Sequence, residues 1–89
     1  MEATVETSVA GVRDELLAFI CRTFVVEQAD VDVDRSLIEQ GIIDSFGLVE
    51  ITTFIAQRFG VEVKEEEMTK EAFGSTNRMA RFVAARVAR

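Results

Sequence analysis

The sequence predicts an all-α fold: a small bundle of three main helices plus one short helix, with a long loop between the first and second. Three observations carry this. Apolar residues recur at three- and four-residue steps in segments 8–24 and 45–59, and again towards the C-terminus. Gly41, Gly60 and Gly74 stand where helical segments would stop. The one strand-like alternation, Val31 and Val33 among Asp30, Asp32 and Asp34, is weak and falls inside the long loop. At 89 residues and 48% hydrophobic, the chain has room for one domain, residues 1–89, with a small core over about 8–88.

The first helix spans SVAGVRDELLAFICRTF, 8–24, with Thr7 or Ser8 as its cap. Val9, Val12, Leu16, Phe19, Ile20 and Phe24 form its apolar stripe, and Arg13, Asp14 and Arg22 lie on other faces. Residues 25–43 form an extended loop that turns apolar side chains inward. It holds one helical turn at Ser36–Gln40, capped by Asp34 and ended by Gly41. A structureless connection this long is uncommon and is often functional.

The second helix is SFGLVEITTFIAQRF, 45–59, capped by Asp44 and stopped by Gly60. GVEVKEEEM follows as a loop anchored by Val61, Val63 and Met68. Thr69 caps a short helix, KEAF, ended by Gly74. Ser75 or Thr76 caps the last helix, NRMARFVAARVA, 77–88, whose stripe is Met79, Phe82, Val83 and Val87.

Composition excludes several functions. A formal net charge of −6 opposes binding to nucleic acid or to an anionic membrane, and suits docking to basic patches on proteins. With no His and one Cys, most acid–base catalysis and most transition-metal sites are missing, and no internal disulfide is available. No run approaches the roughly 18 apolar residues of a membrane span. The start, MEATVETSV, lacks a signal-peptide layout, so the expected compartment is cytoplasmic.

Other clusters fail as sites. Asp30, Asp32 and Asp34 resemble a calcium loop, but Arg35 and Gly41 occupy its glycine and glutamate places. Cys21 has no His or Asn partner and reads as core filler. Glu65, Glu66 and Glu67 read as a solvated cluster. The arginines of the last helix, Arg78, Arg81, Arg86 and Arg89, read as a solvated face that offsets the helix dipole. No catalytic or metal-ligating set remains.

The second helix carries two apolar faces. At about 100° per residue, Leu48, Ile51, Ile55 and Phe59 share one stripe, flanked by Phe54. Gly47 lies near that side, where its missing side chain lets another segment approach. Phe46, Val49 and Thr53 cluster on the far side, with Ser45 and Ala56 at one margin and Glu50 at the other. Either the long loop folds over this second face, or the face is a docking surface with an acidic edge from Asp44 and Glu50. Ser45 opens the helix, where Ser is common as a capping or first-turn residue. The same position favours a covalently attached phosphate, because free N–H groups point at it. Ser8, Ser36 and Ser75 fit as ordinary caps or first-turn residues.

Asp44-Ser45-Phe46 inside GIIDSFGLVEI resembles the signature of the acyl and peptidyl carrier proteins. SLIEQGIIDS, RFGVEV and EEEMTKEAFGS resemble the family's approach to and exit from its second helix, over roughly residues 8–88. The resemblance implies a discrete, monomeric, acyl-carrier-like bundle. It implies 4′-phosphopantetheine on Ser45, beside Asp44, attached by a phosphopantetheinyl transferase. The arm's thiol would hold cargo as a thioester, and the chain would catalyse nothing itself. Further implied partners are a loading enzyme (an adenylating enzyme or an acyltransferase) and downstream synthase or tailoring enzymes, read through Phe46, Val49, Glu50 and Thr53. The second helix departs from bacterial fatty-acid carriers, since Glu50 is its one acid. DSFGLVEI is closer to stand-alone carriers of amino acids or of specialised polyketide and nonribosomal peptide pathways, and a polyketide or nonribosomal peptide pathway is the expected role. D-alanyl or fatty-acid carriers, or a non-carrier interaction module of the same fold, are the alternatives.

Overall fold

Each predicted helix forms where a local cap and stop allow it. The computed structural model describes residues 8–87. Helix α1 runs Val9–Phe24, α2 Ser45–Phe59, α3 Lys70–Phe73 and α4 Thr76–Val87. The Ser8 hydroxyl accepts the Gly11 N–H at 3.1 Å and caps α1, so Ser8 precedes the helix rather than opening it. Thr7, the other candidate cap, lies outside the described residues. Gly60 ends α2 in the left-handed conformation at φ 70°, which glycine adopts without a Cβ clash. Thr69 caps α3 as predicted. Ser75, accepting the Arg78 N–H at 3.1 Å, caps α4. Thr76 therefore falls inside that helix, one residue earlier than expected, and residue 88 lies outside the described residues.

Helix α1 packs mainly on α4, and α2 lies against both. Val12, Leu16, Ile20, Ile51, Ile55, Met79 and Val83 are fully buried between them. Leu17 joins this core although it lies off the predicted stripe, because α1 is covered from two sides and its buried arc widens. Val9 departs in the other direction. It is 39% exposed, in the first turn of the helix.

The long loop is ordered by its own polar side chains. It contains a short 3-10 turn, Gln28–Asp30, where the sequence suggests extended backbone. Beyond it, the Gln40 amide accepts the Asp32 N–H at 2.8 Å and donates to the carbonyls of Asp32 and Arg35. That clamp satisfies backbone groups a structureless loop would leave to water. The turn at 36–40 forms, with the Gln40 N–H bonded to the Ser36 carbonyl. Ser36 caps it, by accepting the Glu39 N–H, and not Asp34. The Asp34 carboxylate instead accepts from the Asn77 amide at 2.7 Å and ties the loop to the start of α4. Leu37 and Val31 reach the core from this loop, as Val61 does from the next.

Glu67 is the exception within the acidic run. It forms an ion pair with Arg86, and its other oxygen accepts the Lys64 N–H. The Arg86 guanidinium lies 4.6 Å from the centre of the Phe82 ring. These two residues are thus half-buried, not solvated, because the segment before α3 folds back across α4.

Between α1 and α2 the tie is aromatic and ionic. The Phe19 and Phe54 rings stack at 4.3 Å, with Phe24 and Phe59 edge-on to either side. Arg58 donates two bonds to Glu15, at 3.0 and 2.8 Å, and those bonds hold the Glu15 carboxyl below its ordinary range. A carboxyl with a lowered folded pKa stabilises the fold above its unfolded pKa and ceases to do so as pH falls through the folded value. Glu15→Gln is therefore expected to be less stable than the parent in urea at pH 7, with the difference closing in acid below the usual carboxylate pKa of about 4. Val25 closes α1 in the left-handed region at φ 57°, an unfavourable place for a β-branched residue, and is 86% exposed. Val25→Asn removes no packing, so a gain on the order of 1 kcal/mol and a rise of about 4–8 °C in melting temperature are expected by calorimetry.

Candidate functional site

The start of α2 is fixed by Asp44. Its backbone is extended, its carboxylate accepts the Gly47 N–H at 3.0 Å, and its carbonyl accepts from Leu48. Ile43, just before it, is buried, and Ile42 is half-buried, so the loop enters the helix at one angle. Gly47 completes the arrangement. A Cβ there would lie 2.7 Å from the Ile43 Cβ and 3.2 Å from the Phe24 ring. The bare backbone lets both come close, as the helical wheel suggests.

This geometry separates the four serines. The hydroxyls of Ser8, Ser36 and Ser75 each accept a backbone N–H as caps. Ser45 has no such duty, because Asp44 is the cap. Ser45 is exposed, and its hydroxyl is bonded to none of the described residues. It is the first residue of a fifteen-residue helix, where the dipole and unpaired N–H groups favour an anion. A phosphodiester fits on that oxygen: the hydroxyl is accessible, uncommitted and held in a favourable field.

The second face of α2 is open. Phe46 is 80% and Val49 53% exposed, and Glu50 and Thr53 are exposed beside them. The long loop does not cover this face: Ile43 turns inward under Gly47, and Phe46 and Val49 stay exposed. Thr53 donates its hydroxyl to the Val49 carbonyl at 3.0 Å, as Thr52 does at 2.8 Å. Two grooves flank the face on its α1 side. One, of about 460 Å³, lies among Phe24, Ile42, Phe46 and Glu50. The other, of about 340 Å³, lies among Phe19, Thr23, Val49, Glu50 and Phe54. The α1 walls of these grooves were not visible in the sequence, where Phe19 and Phe24 read as core. A third groove, of about 540 Å³, lies on the other flank, between Leu48, Ile38 and Phe73. Among the described residues no cluster of His, Cys, Asp and Glu could hold a metal ion, and no helix is long and apolar enough to cross a membrane.

Residues 14–83 match the family described as phosphopantetheine attachment site. The chain is similar to a D-alanyl carrier protein of Bacillus velezensis, 32% identical over 71% of this chain and 77% of that protein. It is similar to one of Abiotrophia defectiva, 33% identical over 82% of this chain and 89% of that protein. A third, of Bacillus subtilis, is 30% identical over 71% and 77%.

The close approach at Gly47 has a measurable consequence. Gly47→Ala adds about 1 kcal/mol of helix propensity, but overpacking typically costs about 1–3 kcal/mol. A net loss on the order of 1 kcal/mol is expected in urea unfolding, and a larger one for Gly47→Val.

Proposed function

The chain belongs to the family of phosphopantetheine-attachment domains, and on that premise we propose that Ser45 carries the 4′-phosphopantetheine arm. The observation that carries this reading is the division of labour at the start of α2. Asp44 caps the helix, so the Ser45 hydroxyl is left exposed and uncommitted, unlike the other three serines. When attached, the arm supplies a thiol that holds cargo as a thioester. The chain's own residues hold and present that arm. Asp44 and the first turn of α2 fix the attachment oxygen, Gly47 and Ile43 fix the angle of the helix, and the field at the helix start favours the phosphate. Carrier proteins of this family are not enzymes. In this reading the chain is a monomeric, cytoplasmic module, residues 1–89, that serves a phosphopantetheinyl transferase and a loading enzyme.

For the cargo, the similar proteins support the D-alanyl alternative over the polyketide or nonribosomal peptide pathway expected from the sequence. We take the cargo to be a small aminoacyl unit of the D-alanyl kind, loaded by an adenylating enzyme. Phe46, Val49, Glu50 and Thr53, all exposed on one face beside Ser45, are the surface such enzymes would read.

Incubated with coenzyme A, magnesium and a broad-specificity phosphopantetheinyl transferase, the protein should gain the mass of one phosphopantetheine. Ser45→Ala should keep the parent's circular dichroism and gain nothing. An unmodified parent, or a variant that still takes the label, contradicts the assignment.

A further inference from the structure

The two flanks of α2 differ in charge. The grooves on its α1 side are lined by two acids, Asp44 and Glu50, and by no lysine or arginine. The groove on its other flank is lined by Arg35, Lys70 and Arg78 as well as Asp34 and Glu39. Those three cations form no ion pair with any described residue, and the Asp34 carboxylate is engaged by the Asn77 amide. On the α1 side, Asp44 is committed to the helix cap. Glu50 is exposed and bonded to none of the described residues. It lines both grooves, with Phe24 and Phe46 in one and Phe19 and Phe54 in the other. An uncommitted carboxylate thus stands among aromatic side chains, on the same helix as Ser45 and close to its start.

We propose that these grooves take the ammonium of an aminoacyl cargo, held on the Glu50 carboxylate. The proposal rests on the reading of Ser45 as the attachment point of an arm that carries such a cargo. The thioester uses the carboxyl group of the amino acid, so the amino group stays free and is charged below its ordinary pKa of about 7.7–8.0. Of the two flanks, the α1 side offers that cation a carboxylate with no competing lysine or arginine. The opposite groove disfavours it, with three cations against two acids. Phe46, 80% exposed, adds an aromatic ring to the groove beside Ser45, and an ammonium is attracted to such a ring. Glu50 lies about 7.5 Å along the helix axis from Ser45, a distance that the arm spans with slack. Loading with an amino acid therefore changes where the end of the arm rests. A cargo of the same shape without the amino group has no such preference.

Chemical-shift mapping of the isotope-labelled chain tests this at about pH 6.5, where the amino group is charged. Three forms are compared: the bare arm, the arm joined to D-alanine through a stable amide in place of the thioester, and the arm joined to propionate in the same way. The D-alanyl form should shift the amides of residues 46–50 about threefold more than the propionyl form, the modest gain expected of an exposed ion pair. Residues 35–39 and 69–74 should be alike in both. Glu50→Gln should abolish the difference at 46–50, and circular dichroism checks that this variant folds. Salt at about 1 M should shrink the difference in the parent. Equal shifts in the two loaded forms, a difference centred on 35–39 and 69–74, or one that survives in Glu50→Gln overturns the site. A chain that takes no arm on Ser45 overturns the earlier reading and this one with it. A chain that takes the arm and shows no difference overturns this inference alone.

Discussion

The carboxylate of Asp44, bonded to the N–H of Gly47, is the contact on which the site depends. A helix start leaves N–H groups without partners, and a side chain must take them up or leave them to water. Asp44 does so from outside the helix, which frees the next residue from the task. Gly47, whose N–H completes the cap, is also the residue whose missing side chain admits Ile43 and Phe24. One turn of backbone thus joins the loop, the end of α1 and the start of α2. The exposed hydroxyl of Ser45 is what remains when those needs are met.

The rest of the molecule holds that turn in place. The long loop would be costly to order if its backbone were unpaired, and the Gln40 amide and the Asp34–Asn77 bond supply partners. The pair Glu15–Arg58 and the stacked phenylalanines fix α2 against α1. The pair Glu67–Arg86 holds the segment before α3 against α4. None of these contacts reaches the outer face of α2. That face stays open, with Phe46 and Val49 exposed beside the Ser45 hydroxyl.

Much of this was legible in the sequence because it is local. Caps and glycine stops are short-range signals, and they placed α1, α2 and α3 to within a residue. Asp44-Ser45 was legible for the same reason. Contacts between distant segments were not. Spacing alone points Asp34 to capping a nearby turn, but a partner 43 residues away holds it. Glu67 and Arg86 look solvated in the sequence, because nothing in their spacing says that two segments fold together. The helical wheel gave the direction of Phe46 and Val49 but not whether the loop would cover them. Ile43, turned under Gly47, decides that question in three dimensions. The cargo lies further still from the sequence, since a thioester on a long arm is held mostly outside the domain.

The central claim is that Ser45 bears an arm and, through it, a cargo. The most direct test is the intact mass of the protein purified from its own host, with the modified peptide located by fragmentation. The account predicts a species heavier by one phosphopantetheine, in part by an aminoacyl group as well, with the added mass on the peptide containing Ser45. A chain found only in bare form in cells where its transferase is active, or one modified at another residue, would contradict it.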